Sequence, residues 1–205
     1  MKLEALLDRL REFDLLLATD PLLPSVSAIV AGEPVRGSWW SHPRAREIFR
    51  LAMALREHAD VLLIRLVSGK LTYVHRSLWP AILSIGMARE QWQTEGLSGA
   101  ARKLLQKVDR EGSLSATGDP VRELEARLLA RCESVHTEQG AHAKQVRSWP
   151  AWASSVGLDG PKLSPAEAKA RLESILNRLN QQFQAKGTLP WKHAGTGLQR
   201  VLVSH

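Results

Sequence analysis

The chain has 205 residues, with 28 Lys and Arg against 21 Asp and Glu for a net charge of +7, and 44% of it is hydrophobic. That apolar share supplies a core for one large domain or two small ones and excludes a wholly disordered or collagen-like chain. A single cysteine, Cys132, excludes a disulfide framework and a cysteine-rich zinc module. No apolar run nears the ~18 residues of a membrane span, and the acids mixed into the first nine residues argue against a signal peptide. The expectation is a cytoplasmic protein with no membrane partner.

The charge is uneven. Residues 1–35 carry a net −3, 36–76 a net +5, 77–140 a net −1 and 141–205 a net +6. Two basic segments separated by a neutral one suit a phosphate backbone, where each neutralised phosphate releases counterions. The plainer alternative is Arg and Lys solvated on helix faces.

In chain order, Leu3, Leu6, Leu7, Leu10, Phe13 and Leu17 predict a helix over 2–18, stopped at Asp20-Pro21. Residues 22–37 read as loop. After Trp39-Trp40, the spacing of Ile48, Leu51, Ala52 and Leu55 predicts a second helix over 44–59. The run 61–67 and the segment 71–75, joined by Ser68-Gly69-Lys70, predict a β-hairpin. Leu78, Trp79, Ile82 and Leu83 mark a short apolar helix over 77–85, with Pro80 in its first turn. Ser98 opens a helix through Ala101, Leu104, Leu105 and Val108 that Gly112 ends, and 113–116 reads as a short strand. Asp119-Pro120 opens a further helix, read as running to Cys132. Residues 134–147 predict a second hairpin, and 149–161 a connector. Ser164-Pro165-Ala166-Glu167 is a capping box opening a helix through Leu172, Leu176, Leu179 and Phe183, stopped by Gly187 and Pro190.

These elements predict an α-rich α+β fold with two β-hairpins. The segments would be an N-terminal helix (1–21), a first hairpin module (22–96), a winged-helix-like unit (97–160) and a C-terminal amphipathic helix with its tail (161–205), or all of them one compact domain. Helix, short strand, helix and basic hairpin is the order of a winged-helix domain, in which a helix enters the major groove and the hairpin touches flanking backbone. Only one helix fits between Gly118 and the hairpin, where a helix-turn-helix uses two.

Leu-Pro-Ser-Val at 23–26, Ala-Gly-Glu-Pro at 31–34, Trp39-Trp40, Leu66-Val67-Ser68-Gly69-Lys70-Leu71-Thr72-Tyr73-Val74, and Gly96-Leu97-Ser98 leading to Ala101-Arg102-Lys103-Leu104-Leu105 follow one another in order. Over roughly 22–135 the chain thereby resembles the small bacterial relatives of the AlkZ (YcaQ) DNA glycosylases. The resemblance implies a winged-helix protein of DNA repair or regulation. Those glycosylases excise alkylated or cross-linked bases and position water with a Gln-x-Gln or Gln-x-Asp motif, which Gln91-Trp92-Gln93 matches by letter. The chain is far shorter than the multi-winged enzymes, so the expectation is a protein without glycosylase activity, Gln91 and Gln93 being its catalytic candidates.

The expected partner is DNA, contacted by Arg44, Arg46, Lys70, Arg76, Arg127, Arg131, Lys144 and Arg147. Trp39 and Trp40, near Arg36, Arg44 and Arg46, are candidates to stack unpaired bases; packing in a core is the commoner fate of tryptophan. His136, Glu138 and His142 have ligand-type side chains within seven residues, which a polar turn explains as well; no metal or other cofactor is expected. No Gly-x-Ser-x-Gly elbow or phosphate loop occurs. Two other function classes stay open: an interaction module docking a protein or a second copy through its tryptophans and C-terminal helix, and a metal-dependent enzyme.

Overall fold

A computed structural model describes residues 2–136 and 142–192. The fold is α-rich α+β, with two three-stranded antiparallel sheets among the described residues. Those residues form two compact units. One combines the segment ending at Trp79 with Ala170–Leu189; the other combines Pro80–Lys169 with the segment beginning at Pro190. The divisions at Trp79/Pro80 and Lys169/Ala170 fall inside helices, and the two units interleave along the chain.

In the first unit, α1 (Leu3–Phe13) buries Leu6, Leu7, Leu10 and Phe13. It stops five residues earlier than its apolar spacing predicts, because Asp14 takes a left-handed conformation (φ 65°) and Leu15, Leu16 and Leu17 continue as β1 (Leu15–Leu17), all three buried. Asp tolerates that backbone better than most side chains. The expected loop 22–37 contains α2 (Val26–Ala31), whose N-cap Ser25 accepts from Ala28 N at 3.3 Å and whose end is Gly32 at φ 85°. Six residues are too few for a helical period to show in the sequence. α3 (Ala45–Arg56) buries Ile48, Leu51 and Leu55. The hairpin of β2 (Val61–Arg65) and β3 (Leu71–His75) forms as expected, with positive φ at both Ser68 and Gly69 in its turn. β3 is central: Leu63 opposes Tyr73 on one side, and Leu15 opposes Val74 on the other.

The second unit contains most of α4 (Trp79–Met87), α5 (Gln91–Thr94), α6 (Gly99–Glu111), β4 (Ser113–Ala116), α7 (Asp119–Ala126), β5 (Arg131–His136), β6 (His142–Arg147) and α8 (Trp149–Ser155). α9 (Pro165–Gln182) begins in this unit and ends in the other. The sheet order is β4-β6-β5, with Leu114 and Cys132 flanking Val146. Ala101 and Val108 of α6, Val121 and Leu124 of α7, Leu129, Cys132 and Val146 form the core.

Two expectations here are corrected. The helix expected to reach Cys132 ends at Ala126, where Leu128 N donates to Glu125 O (3.2 Å) and Leu129 N to Leu124 O (2.9 Å), with Leu128 at φ 52°. That pair of bonds is a Schellman ending with leucine in the place where glycine is usual. Arg131 consequently lies on a strand instead of a recognition helix. The expected connector after residue 148 contains α8, capped by Ser148, whose Oγ accepts from Ala151 N at 3.4 Å. Trp149 and Trp152 are buried in an edge-to-face pair, centroids 5.4 Å apart, and Trp149 Nε1 donates to Leu128 O at 2.7 Å. Among the described residues no helix is long and apolar enough to cross a membrane.

Candidate nucleic-acid interface

The first unit presents an aromatic platform. A single turn of 3-10 helix at Trp39–Ser41 is held by Ser38 Oγ, which accepts from Trp40 N at 3.4 Å, and by Trp39 O, which accepts from His42 N at 3.1 Å. This turn stacks the two indoles, with centroids 4.0 Å apart and planes 24° from parallel. Trp40 extends the stack to Phe49 of α3, 5.7 Å away. Trp40 is 64% exposed and Phe49 47%, which is unusual for side chains of this size.

The charge around the platform is mainly positive. Phe49, Arg46 and Arg50 fall on the arc of α3 opposite the buried Ile48, Leu51 and Leu55, and both arginines are exposed. Neither takes part in an ion pair among the described residues. Arg36, three residues before Trp39, is also exposed. Arg44 serves the fold instead: its guanidinium pairs with Glu47 at 2.8 Å and donates to Ala31 O at 3.2 Å. His42 Nε2 lies 3.3 Å from Glu33 Oε1 at the edge of the site. Sequence reasoning missed Phe49 and Arg50; the signal available was their position opposite the apolar stripe of α3.

Most of the other expected phosphate contacts are engaged within the protein. Lys70 Nζ sits 2.7 Å from Asp20 Oδ2. Burial raises the Asp20 carboxyl, but Lys70 and the backbone N–H groups of Leu22 and Leu23 outweigh that and hold it below the usual range. Arg76 pairs with Asp60 at 3.4 Å and lies over the Trp79 ring at 5.6 Å. Arg131 pairs with Glu133 at 3.1 Å, Lys144 pairs with the buried Glu125, and Arg147 donates to Ser155 Oγ at 3.2 Å. Arg127 Nη1 donates to the carbonyls of Trp92, Gln93 and Glu95, the last at 2.6 Å. Arg46 is the member of the expected set left exposed and unpaired among the described residues.

The letters of the Gln-x-Gln match part company. Gln91 is exposed, whereas Gln93 is fully buried, its Oε1 accepting from Glu90 N at 2.9 Å and its Nε2 donating to Arg127 O at 3.1 Å. Both ends of this amide are thereby tied to backbone and sealed from solvent. His136 and His142 oppose each other at the end of the β5–β6 ladder, and Glu138 lies outside the described residues. Among the described residues no cluster of His, Cys, Asp and Glu is arranged to hold a metal ion. Burial, with Glu125 adding to it, pushes the Cys132 thiol up to about 12, which leaves it an inert core group.

No protein-family model matches the chain, and neither curated proteins nor solved structures yielded a match.

Proposed function

We propose that this is a non-catalytic DNA-binding protein of winged-helix-like character that holds unstacked bases on the Trp39–Trp40–Phe49 platform. The observation that carries the reading is the exposed indole of Trp40, stacked near-parallel on the half-buried Trp39 and continued by the exposed phenyl ring of Phe49 beside Arg46 and Arg50. Aromatic faces accept any base and contribute about 1–3 kcal/mol per stacked base, while neighbouring cations follow the phosphates.

The winged-helix part rests on the order α6, β4, α7, β5, β6 with β6 central in its sheet. α7 has eight residues and stands alone where a helix-turn-helix has two helices, and its Arg122 is paired with Asp119 at 2.9 Å. With Lys144 and Arg147 also engaged, the DNA contact is better sought on the platform than on the wing. The resemblance to AlkZ relatives supports a setting in DNA repair or regulation in the cytoplasm.

Docking of a protein partner is the competing reading, because Trp40 and Phe49 would also serve as interface anchors. Trp79, Trp149, Trp152 and the apolar stripe of α9 (Ala168, Leu172, Leu176, Leu179) are buried, which removes them from that role.

Fluorescence anisotropy with labelled oligothymidine at about 50 and 200 mM salt separates the two. The wild type is expected to bind with a steep salt dependence. Trp40→Ala should weaken binding by roughly 5- to 100-fold, the loss of one stacked base, with the salt slope unchanged. Equal affinity of Trp40→Ala and wild type would overturn the platform, and absence of binding by the wild type at low salt would overturn DNA binding altogether.

A further inference from the structure

The outer face of α6 carries a second feature that the platform does not use. Ala101 and Val108 are buried, and Leu104 and Leu105 pack partly against the core of the second unit, so these four positions fix which side of the helix faces inward. At about 100° per residue, Arg102, Gln106, Arg110, Lys103 and Lys107 follow one another around the opposite arc, about 140° wide. All five are exposed. The flanking Asp109 is neutralised by Arg89 at 2.7 Å. Arg110 lies 3.6 Å from Glu111, a contact between two surface side chains that contributes little. Arg102, Lys103 and Lys107 have no ion pair among the described residues.

We infer that this face of α6 binds the phosphate backbone of duplex DNA. The inference deepens the DNA-binding reading and rests on it, assigning a second, sequence-independent contact to the other unit. Arg102 and Arg110 are eight residues apart, about 12 Å along the helix, and a DNA strand places one phosphate per about 3.4 Å of axis. Four cations therefore meet three to four phosphates over the same length. An anionic membrane fits less well, since the arc has no exposed apolar side chain to insert. An acidic protein fits less well too, since the arc lacks the aromatic anchor around which interfaces are built.

The test compares wild type, the fourfold variant R102Q/K103Q/K107Q/R110Q, and Trp40→Ala. Each is titrated by anisotropy with a labelled duplex, oligothymidine and poly-glutamate across a salt series. Each neutralised phosphate contributes about 0.9 to the slope of log K against log salt. The fourfold variant is expected to flatten the duplex slope by about 3 to 4 and to weaken duplex binding by about 100-fold at low salt relative to high. Poly-glutamate should bind weakly to all three proteins. An unchanged duplex slope in the fourfold variant overturns the inference while leaving the platform standing if Trp40→Ala still weakens oligothymidine binding. Tight poly-glutamate binding that the fourfold variant abolishes overturns it in favour of an acidic protein. Should the fourfold variant melt early, the pairs R102Q/R110Q and K103Q/K107Q each carry half the expected change in slope.

Discussion

Tyr73 and Cys132 are buried groups whose ionised forms the fold disfavours. Burial raises the Tyr73 hydroxyl to about 12, only partly offset by Arg56, and it donates to Ala52 O at 3.2 Å. Burial and then Glu125 raise the Cys132 thiol to about 12. A raised pKa means that the unfolded chain releases its proton first as pH rises. The stability each neutral group supports is full below its ordinary value, 9.0 for the thiol and 10.0 for the phenol, and is lost as pH climbs from there towards about 12. Melting temperature should accordingly fall across that alkaline window, and Cys132→Ala with Tyr73→Phe should flatten the decline; an unchanged decline in the double variant would show that other groups cause it. The roles of individual residues were the least legible part of the sequence. Gln93 and Arg127 read as a motif letter and a DNA contact, yet each bonds the other's segment, 34 residues away in the chain. A local pattern has no means of expressing such a pairing, whereas the stacking of Trp39 on Trp40 joins residues adjacent in the chain.

Elements with strong end signals were read well. The capping box at α9 is present, with Ser164 N donating to Glu167 Oε2 at 2.9 Å and Glu167 N to Ser164 Oγ at 3.2 Å, and α6 lies between Ser98 and Gly112 as its caps imply. The elements that went unread, β1, α2, α5 and α8, have three, six, four and seven residues, too short for either a period of two or of 3.6 to repeat. The length of α7 was misjudged because its ending uses Leu128 and Leu129, whose apolar side chains continue the helical pattern past the point where the backbone leaves it. The Gly86 position in α4 follows from the same region: a Cβ there would lie 2.3 Å from Nε1 of Trp149. That indole is 1% exposed and bonded to Leu128 O, so it has little room to yield. Gly86→Ala is expected to destabilise the protein by about 1–3 kcal/mol despite alanine's better helix propensity. Chemical denaturation measures this directly, and a neutral or stabilising result would mean that the α4–α8 packing is looser than described.

At the scale of the whole molecule, the amino-acid order conveys the α+β class but conceals the interleaving. The segment Ala170–Leu189 returns to the first unit, where Phe183 meets Phe13 edge-on at 5.6 Å and Ser68 N donates to Thr188 O at 2.7 Å. A side chain at Gly187 would crowd that packing, its Cβ coming within 2.8 Å of Leu23 Cδ1 and 3.0 Å of Val67 Cγ1. Contacts across more than a hundred residues leave no periodic trace, so the amino-acid order gives no sign of the interleaving. The net charge was legible as a total, whereas which cations the fold ties up was not. Lys144 and Arg147 are engaged within the protein, while the cations on the outer arc of α6 and Arg46 and Arg50 beside the platform face solvent. Under the proposed DNA binding, the slope of log K against log salt is expected to report on these surfaces and to respond little to Lys144→Gln or Arg147→Gln.

The three residues of β1 cover a backbone edge of β3. They occupy one flank of β3, whose other flank is taken by β2, so a protein beginning at residue 22 would present the backbone of Thr72, Tyr73 and Val74 as an open hydrogen-bonding edge. Bare edges recruit strands from other molecules. A protease clip between Pro21 and Leu22 that releases the N-terminal segment should therefore convert a dispersed protein into one that sediments, with light scattering rising in step with cleavage; a clipped protein that stays dispersed would mean that something else covers the edge.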